Sequence, residues 1–224
     1  MDSGGELREI YERRFTPALA YRKRVWRILV ADFFQEFVPA DATVIEIGCG
    51  YGEFINEVRA RRKYALDMNP GTAAKLASDV TFLEQDSSAP WNLPDGSLDF
   101  AFSSNFFEHL PDKASLGRTF DEVLRCLRTG GRLVALGPNI RFVPGAYWDF
   151  WDHHIPLSER SLSEALATRG FTIEIQRDRF LPYTMVDQRP LPDALLRLYL
   201  KCPWLWRFFG KQFLVVAVKS APPA

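Results

Sequence analysis

The run Thr43-Val-Ile-Glu-Ile-Gly48-Cys-Gly50-Tyr-Gly52-Glu-Phe54 is an apolar, β-branched stretch that breaks into alternating glycines. Roughly twenty residues further on, a second apolar stretch ends in an acid, Asp67. Glycines belong where a strand turns sharply, because positive φ costs them nothing and a missing Cβ lets the backbone approach a ligand. An acid at the end of the next strand can accept hydrogen bonds from both hydroxyls of a ribose. The two features together describe a nucleotide-cofactor site on an α/β sheet. Their spacing narrows the cofactor, because the dinucleotide fingerprint G-x-G-x-x-G needs glycine at position 53, where this chain carries Glu53. The third glycine comes one residue early.

A chain of 224 residues with 47% hydrophobic content can bury one large core and is most economically a single domain. Its 28 basic residues equal its 28 acidic ones, so no global field draws it onto nucleic acid or an anionic membrane. A local basic run, Arg59 with Arg61, Arg62 and Lys63, reads equally well as a solvated helix end. Cys49, Cys126 and Cys202 are odd in number and lack metal-ligand or CxxC spacing, which points to a reducing compartment with the cytoplasm as the default. The first residues show no basic segment followed by an apolar core, and no run reaches the roughly 18 apolar residues of a membrane span. Neither secretion nor insertion is expected.

Residues 6–38 mix charge with large apolar residues at three- and four-residue spacings and predict one or two amphipathic helices, a flank or lid over 1–40. Strands and helices then alternate through 41–219. The pattern predicts strands at 43–47, 63–67, 80–85, 98–103, 131–137, 171–178 and 212–219, with helices at 53–60, 71–77, 112–128 and 161–169. Such alternation implies a doubly wound, mostly parallel α/β sheet with helices on both faces. The last two strands lack an ordinary crossover, because residues 182–210 are rich in proline and aromatics, so the final strand is expected to run antiparallel.

Within the glycine run, Glu46 is an acid inside an otherwise apolar strand and wants a partner. Either it caps the turn, or its carboxylate reaches the loop amides and a ligand cation. Met68 sets an apolar side chain beside Asp67 where an adenine face would rest, or simply packs. After the third strand, Asp86 can accept from an adenine amino group while a backbone amide donates to a ring nitrogen. The segment Ser103-Ser-Asn105-Phe-Phe-Glu-His109-Leu follows the fourth strand, at the carboxyl edge where open α/β sheets bind ligands.

Several ordered motifs over 41–138 carry a resemblance: Val44-Ile-Glu-Ile-Gly-Cys-Gly-Tyr-Gly52, the acid ending Tyr64-Ala-Leu-Asp67, Gln85-Asp-Ser87, Leu93-Pro-Asp-Gly-Ser-Leu-Asp-Phe100 and Leu127-Arg-Thr-Gly-Gly-Arg-Leu133. In this order they resemble the class I S-adenosylmethionine methyltransferases of the type 11-like group. The resemblance implies a Rossmann-like sheet of seven strands and S-adenosylmethionine as cofactor, a ligand without a pyrophosphate. It further implies that Glu46, Gly48, Gly50 and Gly52 surround the methionine part, Asp67 the ribose, Asp86 with Ser87 the adenine, and Asn105 the sulfonium end.

Methyl transfer from a sulfonium is an in-line displacement, so the chain must position a nucleophile and, for a hydroxyl, supply a base. All three histidines, His109, His153 and His154, lie in loops after strands rather than in surface helices. They are candidate bases, or else they hydrogen-bond within a folded loop; neighbours 153 and 154 point in different directions in an extended segment. The insert 138–160 holds Arg141, Asp149 and Asp152 among aromatics, a composition that suits a polyol site and also a packed lid. Its run Pro138-Asn-x-Arg141 through Tyr147-Trp-Asp-Phe-x-Asp-His153, with Leu157-Ser-Glu-Arg-Ser-Leu162 and Gly170-Phe171, resembles methyltransferases of bacterial cell-surface glycan biosynthesis. That resemblance implies O-methylation of a sugar hydroxyl on a glycan or glycolipid. Other acceptors of quinone or polyketide type, or a noncatalytic binding module, are the alternatives; an NAD-type oxidoreductase is disfavoured by the glycine spacing and by the lack of a Tyr-x-x-x-Lys pair. No metal is expected, since His109, Asp152 and His153 have no recognised ligand spacing. Residues 191–209 are apolar with basic edges, interrupted by Pro203, and either cover the sheet edge, form a homodimer contact or dock on a membrane.

Overall fold

The computed structural model describes residues 19–183 and 191–221. Seven strands, β1 (Thr43–Ile47), β2 (Arg62–Asp67), β3 (Val80–Glu84), β4 (Leu98–Ser104), β5 (Leu127–Pro138), β6 (Phe171–Arg177) and β7 (Gln212–Lys219), form one sheet. Their spatial order is β3-β2-β1-β4-β5-β7-β6. Strands β1 to β5 pair in parallel, whereas β7 runs antiparallel to both β5 and β6. This is the single-domain, mostly parallel α/β architecture with a reversed last strand that the alternation predicts.

Strand β1 is buried along its whole length, which is why its sequence is apolar on both faces rather than alternating. On one side Val44, Phe100, Phe102 and Val134 pack with the first described helix, α1 (Leu19–Asp32). On the other, Ile45, Ile47, Leu133 and Ala135 pack with α2 (Lys113–Cys126) and α3 (Glu159–Ala167). The Asp112 side chain accepts the Ser115 N–H at 2.7 Å to start α2, and a capping box between Ser158 and Ser161 starts α3. Strand order reverses between β1 and β4, so the segments leaving their carboxyl ends diverge and leave a crevice.

Three local expectations differ from the structure. The helix predicted over 53–60 is a series of turns. Its ladder is interrupted where the Arg59 N–H is taken by the Gln35 side chain at 2.9 Å, while the first-turn Ile55 N–H is taken by the Glu46 carboxylate at 2.9 Å. The helix predicted over 71–77 is a 3-10 turn, Pro70–Lys75; the Asn69 side chain opens it and the Asn56 side chain takes the Ala77 N–H just beyond it. The flank predicted over 6–38 consists of α1 and a 3-10 turn at Phe34–Phe37, with residues 6–18 outside the described residues. Between β6 and β7 stand two short helices, α4 (Asp193–Lys201) and α5 (Pro203–Phe209). Pro203 breaks the apolar segment there, as its missing N–H requires, and serves as the first residue of the second helix.

Candidate active site

The crevice is lined first by the glycine turn. Gly48, Gly50 and Gly52 hold φ of 65°, 53° and 67°, the left-handed region that an L side chain rarely adopts. A Cβ on Gly48 would also lie 2.1 Å from the Phe106 ring, so that position is closed to other residues on two counts. The Gly48 N–H continues the sheet by donating to Leu66 O at 2.8 Å, and the Gly50 N–H donates to the Asp67 carboxylate at 2.8 Å. A second amide, from Asn69, reaches the other Asp67 oxygen at 2.9 Å. Burial lifts the Asp67 pKa above the ordinary carboxylate value, although these amides oppose the shift. Asp67 therefore fastens the glycine turn to the end of β2, and it is not itself among the residues that line the crevice.

Glu46 does both things that the sequence allows: it accepts the Ile55 N–H and it lines the crevice. Burial raises its pKa well above the usual range, with Glu53 and Asp67 adding to the shift, so a cation beside it in the crevice would favour the carboxylate form. Asn105 also lines the crevice, in the only positive-φ conformation among the described non-glycine residues, and donates to Ser104 Oγ at 2.9 Å. The adenine-side residues are placed less directly. Met68 is exposed, Asp86 is exposed and accepts the Ser88 N–H at 2.8 Å, and the Ser87 hydroxyl is buried against Thr119 at 3.0 Å. None of these three lines the crevice, and Ser87 has its side chain committed to the fold.

The opposite wall is built from side chains. Arg22, Trp26 and Leu29 sit at i, i+4 and i+7 on α1 and line the crevice from one helix face. Arg22 donates to Glu53 at 2.7 Å. His109 ends the turn after β4, and its Nδ1 lies 2.9 Å from Asp152 O and 3.2 Å from the Asp152 carboxylate. This pairing places the ring proton on Nδ1 and leaves Nε2 as the basic nitrogen. His109 burial would lower its pKa, but the Asp152 hydrogen bond and the neighbouring Glu108 outweigh it and raise the value. His153 lines the crevice, stacked on Phe150 at 4.9 Å and edge-on to His109 at 4.8 Å. His154 is exposed and outside the lining; its N–H donates to Glu108 O at 2.8 Å. Adjacent histidines thus point in different directions.

Glu108 is the residue that sequence reasoning missed most plainly. Its side chain is 1% exposed, lines the crevice, and has one carboxyl oxygen with no hydrogen-bond partner among the described residues. Burial pushes its pKa up to about 7. One ligand-type atom each from Glu108, His109 and His153 lies within 4.8 Å of the others. Arg22, Glu53, Tyr183 and Gln212 also line the crevice and were not singled out from the sequence. None carries a local signal, because helix packing and the reversed strand bring them in from distant parts of the chain. Of the insert's charged residues, Arg141 pairs with Glu159 and Asp149 is exposed; only Asp152 reaches the site, through His109.

Known proteins agree with this geometry. Residues 18–176 match the family model described as a methyltransferase domain. An uncharacterized methyltransferase from Mycobacterium sp. (strain KMS) is 33% identical over 116 residues, covering 47% of this chain and 44% of its own. A 2-methyl-6-phytyl-1,4-hydroquinone methyltransferase from Synechocystis sp. is 30% identical over 156 residues, covering 59% and 47%. The chain therefore spans under half the length of these relatives. A solved SAM-dependent methyltransferase from Archaeoglobus fulgidus superposes with a TM-score of 0.66 at 18% identity, over 88% of this chain and 94% of that one, a likeness of fold. With the family model spanning residues 18–176, well over half of the chain, the chain belongs to the methyltransferase domain family.

Proposed function

We propose that the chain transfers a methyl group from S-adenosylmethionine to a hydroxyl oxygen of a ring-shaped acceptor, a sugar residue of a glycan or glycolipid first. The observation that carries this reading is His109, fixed by Asp152 and opening with Asn105 and the glycine turn onto one crevice. S-adenosylmethionine supplies an electrophilic methyl on sulfur. The chain's residues fit that ligand: the positive-φ turn lets the backbone approach it, and Glu46 lines the crevice where its carboxylate can accept from the ammonium group. Asp67 accepts from the ribose hydroxyls. Asn105 stands at the reacting end.

The acceptor hydroxyl lies against His109, whose Nε2 takes the proton while Asp152 stabilises the imidazolium that forms. Glu108 and His153 border the same position, and Trp26, Leu29, Phe150 and Tyr183 supply apolar and aromatic faces for the body of the acceptor. A hydroquinone is the second reading, favoured by the Synechocystis relative's named substrate. Both acceptors present a hydroxyl on a six-membered ring.

The test is methyl transfer from isotope-labelled S-adenosylmethionine to a panel of sugars, glycolipids and hydroquinones, with the methylated atom located by mass spectrometry and NMR. A new O-methyl ether supports the proposal. Carbon or nitrogen methylation, or S-adenosylhomocysteine binding without turnover on any member, would sink it.

A further inference from the structure

The connection between β6 and β7 is constrained by topology. Because β7 is antiparallel to both neighbours, β6 runs parallel to β5 and ends, at Arg177, on the same carboxyl edge that binds ligand. Strand β7 starts on that edge too, with Gln212 opposite Pro138. Everything between them leaves from and returns to the mouth of the crevice. Leu181, Tyr183 and Gln212 line the crevice itself.

The helices of this connection are apolar on more than one side. In α4, Leu200 is buried with Leu196 and Tyr199 packed beside it, while Leu195 and Leu198, following Leu191 at i+4 and i+7, are about half exposed. In α5, Trp206 packs on Phe180 and Phe33, while Trp204, Phe208 and Phe209 are 63%, 71% and 59% exposed. A helix with a buried apolar stripe needs no second one unless something else covers it.

Charge decides between possible occupants. The exposed Lys201, Arg207 and Lys211 have no acidic partner among the described residues, and the segment's single acid, Asp193, is paired with Arg24 at 3.1 Å. Whole-chain neutrality therefore hides a local excess of cations beside the exposed aromatics. Cores of protein interfaces are depleted in lysine. Long basic side chains around Trp, Phe and Leu instead match the boundary between acyl chains and anionic headgroups.

We propose that the exposed face of α4 and α5 docks on an anionic lipid bilayer, so that the acceptor reaches the crevice as a lipid-anchored molecule. The proposal rests on reading the crevice as a methyl-acceptor site, and its test separates the two. Purified full chain is sedimented with vesicles of phosphatidylcholine alone and with about 30 mol% phosphatidylglycerol, while S-adenosylhomocysteine binding is titrated on the same preparations. The expected result is salt-sensitive binding to the anionic vesicles only. Trp204→Glu with Phe208→Glu is expected to weaken it by at least about tenfold with S-adenosylhomocysteine binding unchanged. Replacing Lys201, Arg207 and Lys211 by glutamine should weaken it comparably, since each cation near such a surface contributes about 1 kcal/mol, or roughly fivefold. Equal binding to both vesicle types, or none to either, overturns the proposal. So does a concentration-dependent dimer that the Trp204 and Phe208 changes dissolve, which would assign the face to a second copy. Vesicle binding without turnover on any hydroxyl acceptor would instead fault the acceptor reading.

Discussion

The two walls of the crevice are made of different materials. The glycine-turn wall works through backbone: the Gly48 amide on Leu66 O, the Asp67 carboxylate fastened by the amides of Gly50 and Asn69, and dihedral angles open to few residues. The facing wall works through side chains drawn from α1, the turn after β4, the 138–154 insert and the start of β7. A backbone site is fixed by local sequence and tolerates little change, whereas a side-chain wall depends on packing and can be rebuilt one residue at a time. On the proposed reading, cofactor recognition belongs to the first wall and acceptor choice to the second.

The sharpest test of this contrast is Gly48→Ala. With positive φ and Phe106 in the way, it is expected to abolish S-adenosylhomocysteine binding, by more than about 100-fold, in a calorimetric titration. Asp67→Ala should remove most of the same affinity. If either variant bound normally, the backbone wall would lose its claim to the cofactor. His109→Ala should act on the other wall only, lowering kcat by about 10²-fold to 10³-fold with cofactor affinity unchanged. Loss of cofactor binding in that variant would erase the division.

A pH experiment addresses the acceptor wall through Glu108, while the raised Glu46 and Asp67 of the other wall contribute in the same direction. Burial lifts Glu108 from 4.5 to about 7, and Asp152 with Glu108 lifts His109 above 6.5. Both groups hold a proton more tightly folded than unfolded. Their contribution to stability is complete below the unfolded values and is lost as pH rises through the folded ones. The melting temperature is therefore expected to fall between roughly pH 5 and pH 8, and Glu108→Gln should remove the Glu108 share of that fall. An unchanged slope in this variant would remove Glu108 from the account. The smallest effect is expected for His154→Ala, which replaces an exposed ring outside the crevice and should change turnover less than about twofold.

What was legible in the sequence follows the same division. Glycines at 48, 50 and 52 and the acid at 67 announce themselves because backbone chemistry leaves local marks, and the strand pattern specified the sheet down to its reversed last strand. Two helices were misread because side-chain acceptors, Gln35 and Asn56, take amides that a helical ladder would use, and a polar residue's partner is invisible in one dimension. Glu108 stood beside His109 in the chain, yet only the packing of β4 against the 152–155 segment, where Glu108 O accepts from both His154 and Ile155, shows that its carboxyl is sealed inside. Ser87, expected at the adenine, has its hydroxyl bonded to Thr119, a partner 32 residues away that the sequence does not reveal.

The bond from the Gly50 amide to the Asp67 carboxylate joins the two ends of the cofactor site into one mechanical unit. A ligand that engages only the ribose end pulls on an acid that is also a strut of the glycine turn, and so stiffens the methionine end before anything occupies it. Binding of an adenosine fragment and a methionine fragment is then a linked equilibrium, each reducing the ordering cost left for the other. The intact ligand collects both halves of that linkage at once. A single hydrogen bond between a loop and the neighbouring strand is enough to make recognition of a long, flexible molecule cooperative along its length.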